Sequence, residues 1–305
     1  MATQAYDDRD GVIWQDGTLV AWREAKLHVL SHGLHYASAV FEGERAYGGT
    51  IFKLTEHSER LVASGRMLGF EIPWSVDDIN RACDEVCRAN GIKDGYIRPI
   101  AWRGSEMMGV SAQKSRIHLA IAAWRWGSYF DEQAFAKGIR MKTSTWRRPP
   151  PESAPVHAKA TGLYMICTLS KHAMEAQGYH DALMLDWRGQ VAEATGANIF
   201  LLMRDGRLHT PAPDCFLDGI TRRTVIGLAR ERGIEVIERA IWPEELANAT
   251  EVFLTGTAAE VTPVGEIDDH RFTPGEMTRT LVQDYRAATG QTVGETVGKA
   301  AATAA

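Results

Sequence analysis

The sequence predicts a mixed fold, α+β or α/β, built as two domains. Three observations lead there. The chain has 305 residues, more than a single hydrophobic core commonly serves. Short apolar runs bounded by Gly, Asn and Asp alternate with amphipathic stretches of helical length. Residues 127–137 show neither pattern and read as a linker. The chain then divides into a small N-terminal α/β domain at 1–126, the linker at 127–137, a large C-terminal domain at 138–290 and a flexible, low-complexity tail at 291–305.

The elements follow in order. Gly11 to Trp22 reads as a hairpin turning at Gln15-Asp16-Gly17. Phe41 to Leu54 gives two short strands around Gly48-Gly49. A helix is expected from Thr55 to about Leu68, with Thr55 and Ser58 as cap candidates. Ser75-Val-Asp-Asp opens the next helix with acids suited to its positive end, and Asn90-Gly91 stops it. Tyr96 to Arg103 and Arg116 to Trp126 are apolar enough for largely buried strands. In the second domain Ile139 to Thr145 is a strand, and the prolines in Arg147-Arg-Pro-Pro-Pro exclude regular structure there. Thr161 to Gly178 is a helix, followed by strands at 182–186, 198–203 and 207–209. A helix at Thr221 to Gly233, strands at 235–237 and 251–255, and a helix from Pro274 to about Ala288 complete it.

Composition narrows the function classes. A net charge of -5 gives no electrostatic footprint for nucleic acid and favours a protein acting on small molecules. No apolar run is long enough to span a bilayer. The segment MATQAYDDRD lacks the basic and apolar regions of a secretion signal, so a cytoplasmic protein is expected. Cys83, Cys87, Cys167 and Cys215 show no CxxC or Cys/His spacing, so they read as reduced thiols and no metal site is expected.

Lys159, in His-Ala-Lys-Ala-Thr-Gly-Leu-Tyr, is the most informative residue. Alanines flank it, a proline-rich turn precedes it and a helical run follows. Burial disfavours an ammonium, and a partly neutral amine is a Schiff-base nucleophile. Leu217-Asp-Gly219-Ile-Thr221 opens a helix whose free N–H groups suit phosphate. Thr255-Gly256-Thr257-Ala258 follows an apolar strand and can form a second nest of N–H donors. Glu193, among small residues, is expected to be buried and to need a partner, for which a protonated pyridine nitrogen is suited. Tyr96 and Arg98 share a strand face and suit carboxylate recognition. The aromatic and small residues of His32-Gly-Leu-His-Tyr36 to Phe41-Glu-Gly43 offer a pocket wall, with the two histidines as packing or hydrogen-bonding residues. Each alone also fits a plain role: a surface lysine, an N-cap, a tight turn, an exposed glutamate, a surface strand. Together they are the parts for pyridoxal phosphate chemistry on an amino acid.

The segments SHGLHYASAVFEG, EHSERL, YIRP, MGV, AKATGLY, AEATGANIF, LDGITR and TGTAAEVTPV occur in this order. Through them the chain resembles the branched-chain-amino-acid aminotransferases, in the class IV, fold type IV group of pyridoxal-phosphate enzymes, from about Gly11 to about Ala288. The resemblance implies a two-domain fold like that of D-amino-acid aminotransferase, with pyridoxal 5′-phosphate at the domain interface. It implies Lys159 as the Schiff-base lysine and proton carrier, Glu193 at the pyridine nitrogen and Tyr164 at the phenolic oxygen. Arg60, Gly219, Ile220, Thr221, Gly256 and Thr257 would hold the phosphate. Tyr96 and the backbone of Thr257 and Ala258 would take the substrate α-carboxylate, and Arg98, expected near the rim, the distal carboxylate of glutamate. Tyr36, Phe41, Gly43, Val110, Tyr129 and Tyr164 would shape the site for a branched side chain. Tyr36 and the Met108-Gly-Val110 loop are similar to residues that reach a neighbouring subunit, which implies a homo-oligomer, a dimer or larger.

Two positions depart from the group's pattern: Glu44 stands where a small or apolar residue is usual, and Asp218 replaces a proline. Siblings in the group are the D-amino-acid and R-amine aminotransferases and aminodeoxychorismate lyases, and YIRP with MGV favours the L-branched-chain type. A cofactor-free binding protein or a lysine aldolase would need neither phosphate nest nor Arg60.

Overall fold

Asp16 and Gly17 take φ of 50° and 96°, the left-handed pair that a two-residue hairpin loop needs. On them β1 (Val12–Gln15) folds back onto β2 (Thr18–Ala21), as expected. The computed structural model describes residues 5–127 and 132–291, which fall into two units. The first takes the described chain up to Gly127 together with Ala158–Gly162, and the second takes the rest.

In the first unit β2 is followed by α1 (His32–Tyr36), β3 (Ala39–Phe41), β4 (Glu44–Tyr47), β5 (Thr50–Ile51), α2 (Leu54–Met67), α3 (Val76–Ala89), β6 (Gly95–Arg103) and β7 (Ile117–Arg125). The strands form one antiparallel sheet in the order β2-β1-β7-β6-β4-β5, with β3 also on β6. Leu61 of α2 and Ile79 and Val86 of α3 pack with Ile97, Leu119 and Ile121 of the sheet, all fully buried. Burial of each such side chain contributes roughly 1.5–3 kcal/mol.

Ser75 caps α3 as expected: its side chain accepts the Asp78 N–H while Asp78 accepts the Ser75 N–H. The caps expected for α2 are not used. Lys53, at φ 56°, turns the chain directly out of β5, so the helix starts ahead of Thr55 with no side-chain cap, and Ser58 is buried a turn inside. Strand β7 also differs from expectation. Leu119, Ile121 and Ala123 are buried and their neighbours only half-buried, so the sheet is fully covered on one face alone.

The second unit contains α4 (Glu132–Lys137), β8 (Ile139–Arg148), α5 (Met165–Glu175), β9 (Asp181–Asp186), β10 (Val191–Ala194), β11 (Asn198–Met203), β12 (Leu208–Pro211), α6 (Ile220–Glu231), β13 (Val236–Arg239), β14 (Ala249–Gly256), β15 (Glu260–Ile267), β16 (His270–Arg271) and α7 (Glu276–Ala288). Its mixed sheet runs β10-β9-β8-β15-β14-β11-β12-β13, with β16 on β15. The β8–β9, β8–β15 and β12–β13 pairs are parallel. Strand β8 continues through Arg147 and Arg148, three residues beyond the expected end, and stops where the prolines begin. The helix expected from Thr161 starts as a 3-10 turn, Thr161–Tyr164, and becomes α-helical at Met165. Helix α4 lies within the range read as a linker, and the tail from residue 292 lies outside the described residues.

Glu44 of β4 is fully buried, and neither carboxyl oxygen has a hydrogen bond of normal geometry among the described residues; the Cys83 thiol, a weak donor, faces it. Burial, then the negative charge of Glu42, push Glu44 well above the usual carboxylate range, so it is a neutral acid. The folded protein thus holds this proton more tightly than the unfolded chain. That stabilisation is complete below the ordinary carboxyl value of 4.5 and is lost as pH rises through the raised folded value. Glu44→Met, similar in length but apolar, is expected to abolish the slope and to raise stability near neutral pH by roughly 1–3 kcal/mol. Urea unfolding of both proteins across the acid-to-neutral range measures this, and equal midpoints at neutral pH would contradict it.

Candidate active site

In the first unit Lys159 is held by its main chain. Phe41 N–H donates to the Lys159 carbonyl at 3.1 Å, and Lys159 N–H donates to Ser64 Oγ at 3.0 Å. Val40 and Ala160 form an antiparallel bridge. Thr161 Oγ1 lies 3.3 Å from the carbonyls of Ala37 and Ala39. These bonds explain why Ala158–Gly162, read from the sequence as part of the second domain, belongs to the first unit. The buried Ala158 and Ala160 flank the lysine closely and leave its side chain to project over the Phe41 ring, Nζ 4.9 Å from the centroid.

The Phe41 ring also carries the Arg98 guanidinium, at 4.8 Å. Arg98 is half-buried and donates through Nη2 to the Tyr96 hydroxyl at 3.1 Å. Gly43 is required here, because a Cβ at this position would stand 1.9 Å from that hydroxyl. Phe41, Gly43, Tyr96, Arg98 and Lys159 are therefore brought together, as the distant segments of the sequence suggested.

Beside them Glu42, fully buried, accepts Arg60 Nε at 2.7 Å and Nη2 at 2.8 Å, with His57 Nδ1 at 2.7 Å. Burial pushes Glu42 upward, but the charge and hydrogen bonds of Arg60 hold it well below the usual carboxylate range. Burial lowers His57, so its neutral ring donates to the carboxylate. Burial first, then the Arg60 charge, bring Lys159 down to about 8, against the opposing pull of Glu42. Glu42, His57 and Ser64 were not singled out in the sequence. The only signal was that Glu42 sits inside FEG and His57 and Arg60 inside EHSERL.

Tyr36 and Val110 are exposed. Tyr36 stacks on His32 at 4.6 Å, and His32 Nε2 meets the Gly109 carbonyl at 2.8 Å, so SHGLHY and the MGV loop are tied into one surface. His35 bonds the Val29 carbonyl at 2.8 Å, the hydrogen-bonding role expected of these histidines. Tyr129 lies outside the described residues.

In the second unit Glu193 is buried on β10. Its Oε1 is 3.4 Å from Arg148 Nε, and its Oε2 is 3.4 Å from Asn198 Nδ2. Arg148, itself buried, ends above its ordinary value although burial opposes its charge, because Glu193 favours it. Arg148 was overlooked because it was read as the start of a proline-rich loop. Tyr164, half-buried, ends the 3-10 turn ahead of α5.

Gly219 precedes α6 in extended conformation with no side-chain cap, and Ile220 and Thr221 are buried in the first turn. Asp218 does not leave a bare charge there: Oδ1 accepts Arg222 at 2.8 Å, and Arg223 donates to the Asp218 carbonyl at 3.0 Å. Arg222 is fully buried and also pairs with Glu238 at 2.8 Å. Gly256 ends β14, and Thr257 and Ala258, half-buried, begin the turn into β15.

In the ligand-free protein the rate of reductive alkylation of Lys159 should rise with a midpoint near 8, well below the ordinary 10.5. Only the neutral amine reacts, so the rate rises with pH. Arg60→Met removes the cation that lowers it and frees the Glu42 charge, so the midpoint should move up. The same change strands Glu42 and should cost about 3–5 kcal/mol of stability. Mass spectrometry of the labelled Lys159 peptide reads the midpoint, and a midpoint unmoved by Arg60→Met would refute the coupling.

The Amino-transferase class IV family profile matches residues 39–267. The branched-chain-amino-acid aminotransferase of Pseudomonas aeruginosa is 44% identical over 272 residues, 88% of this chain and 88% of that protein. The crystal structure of the branched-chain aminotransferase from the archaeon Thermoproteus uzoniensis with norvaline is 39% identical, with a TM-score of 0.88 over 93% of this chain and 96% of that one. The branched-chain amino acid aminotransferase from Thermobaculum terrenum, solved in its PLP-bound holo form, is 32% identical, with a TM-score of 0.84 over 93% of this chain and 95% of that one. The half-buried lysine, the paired glutamate and the uncapped helix start are thus found in a chain that belongs to the class IV aminotransferases, among the branched-chain-amino-acid aminotransferases.

Proposed function

We propose that the protein transfers the amino group between L-leucine, L-isoleucine or L-valine and 2-oxoglutarate, reversibly and in two half-reactions, using pyridoxal 5′-phosphate. The observation that supports this best is the Lys159 amine, brought near neutrality on Phe41 beside the Tyr96–Arg98 pair.

The residues suit the cofactor. Thr221 and the start of α6 at Gly219 and Ile220, which no side chain caps, match a phosphate's demand for N–H donors. Gly256 and Thr257 supply a second such turn, and Arg60 a cation. Glu193, buried 3.4 Å from Arg148, matches a protonated ring nitrogen, and Tyr164 is the partner for the phenolic oxygen. When bound, pyridoxal phosphate supplies an electron sink for the pair left at the substrate Cα.

This chain's own residues do the rest. Lys159 would hold the resting cofactor and would carry the proton from the substrate Cα to C4′ of the cofactor, and in the opposite direction in the second half-reaction. Tyr96 and the Thr257 and Ala258 backbone hold the α-carboxylate and so orient the Cα–H bond. Arg98 receives the distal carboxylate of glutamate. With a branched substrate its guanidinium keeps the Tyr96 hydroxyl and the Phe41 and Tyr96 rings as neighbours, which limits the cost of an unfilled cation. Phe41, Tyr36, Tyr164, Gly43 and Val110 shape the apolar part.

The active form is a homo-oligomer, a dimer or larger. The exposed Tyr36, Val110, Leu34 and Met108 support this, as apolar side chains that a second copy would cover. A cytoplasmic location is supported by four buried free cysteines. Among the described residues no helix is long and apolar enough to cross a membrane.

The purified holoenzyme should lose its visible absorption band on addition of L-leucine alone and regain it with 2-oxoglutarate. Lys159→Ala should lower the rate of this change by at least about 10²–10⁴-fold. Bleaching by D-alanine or an R-amine in place of L-leucine would retain the cofactor and overturn the substrate class. A protein that takes up no pyridoxal phosphate would overturn the whole proposal.

A further inference from the structure

Both anchors proposed for the cofactor in the second unit border one short stretch, Gly196–Asn198. The side chain of Asn198 is buried at the start of β11. Its Nδ2 donates to Glu193 Oε2 at 3.4 Å and to the Leu217 carbonyl at 3.0 Å. Leu217 leads directly into Asp218 and Gly219, the turn that opens α6. That turn lies against the same amide, because a Cβ on Gly219 would stand 2.2 Å from Asn198 Oδ1. The Asn198 backbone pairs with Thr255, the residue before Gly256. A Cβ on Gly256 would meet the Gly196 carbonyl at 3.2 Å and Ala197 Cβ at 3.3 Å.

We infer that Asn198 is a positioning residue that ties Glu193, at the ring nitrogen, to the Gly219–Thr221 turn, at the phosphate. The inference rests on the proposed use of pyridoxal phosphate. Its physical basis is the inventory of a primary amide: two N–H groups on one nitrogen serve two acceptors at once. A carboxylate has no N–H to give, and alanine leaves the Glu193 oxygen and the Leu217 carbonyl each short of a donor in a buried place. The ring and the phosphate are parts of one rigid ligand, so the spacing of their anchors must match it, and a strand fixed in a sheet is a suitable ruler. Asn198 touches no reacting atom in this account and acts through Glu193 and the turn.

The test uses the holoenzyme with Asn198→Ala and Asn198→Asp. Two readouts are taken: the affinity for pyridoxal phosphate relative to pyridoxal, which lacks the phosphate, and the pH midpoint of the visible band of the bound cofactor. In both variants the preference for pyridoxal phosphate should fall by about tenfold or more, the scale of one buried hydrogen bond lost. The pH midpoint should also move, further in Asn198→Asp, which sets a second negative charge beside Glu193. A merely structural asparagine would lower the urea midpoint and leave both readouts in place, and that result would overturn the inference. Movement of one readout alone would overturn it too, since the residue would then serve one anchor only. Asn198→Ser, which fits the space but reaches neither acceptor, carries the test if the other two do not fold. A wild-type protein that takes up no cofactor overturns the functional proposal and this inference with it. A wild type that takes it up, with variants that behave alike, overturns this inference alone.

Discussion

The Glu42 carboxylate governs the first unit. It is ionised with no exposure to water, a state that would be prohibitive without a matched partner. Arg60 supplies the match through two nitrogens, and His57 adds a donor from the preceding turn of the same helix. The carboxylate sits between β3 and β4, so the start of β4 and helix α2 cannot shift independently. Lys159 hangs from β3 and the same helix α2, by Phe41 on one side and Ser64 on the other. Buried ion pairs of this kind often add little net stability, yet losing one partner is severe. The pair is therefore better understood as fixing geometry, and its field sets the charge of the lysine: Arg60 disfavours the ammonium and Glu42 favours it.

The second unit repeats the logic with different parts. Glu193 is buried beside Arg148 and within reach of Asn198, so it too has polar company in a dry place. At α6 the problem is reversed. There Asp218 stands where the family commonly has proline, and proline would stiffen the turn through its ring. The ion pairs from Asp218 to Arg222 and Arg223 restrain the turn by another route and neutralise the charge that the acid brings.

What the sequence made legible was local. The hairpin at Asp16-Gly17, the Ser75 cap and the shared face of Tyr96 and Arg98 each depend on residues a few positions apart. Glu193 was legible as a buried acid because its small neighbours announce tight packing. Strand β15 was missed because Pro263 and Gly265 interrupt its pattern, and the structure shows a register shift next to them. Helix α1 was missed because five residues containing a glycine and two histidines give no helical period. The partners of Glu42 lie 15 and 18 positions away, and nothing local says that they converge. Arg60 and Tyr164 entered through resemblance to a family, since neither stands out by its neighbours. Glu44 was visible as an odd residue, but only the fold shows that it is buried beside another acid.

The five residues Ala158–Gly162 carry a further consequence. They come from the later part of the chain, yet they complete the sheet edge and the pocket of the earlier part. A fragment ending at Gly127 would present Phe41, Ser64 and Arg60 with no amine to enclose. The fragment that follows would carry the amine but none of the groups that discharge it. The reactive lysine is thus split across the order of synthesis: on the ribosome its pocket stays open until the second unit is well under way, and no cut between the units yields a half that holds both the base and its environment.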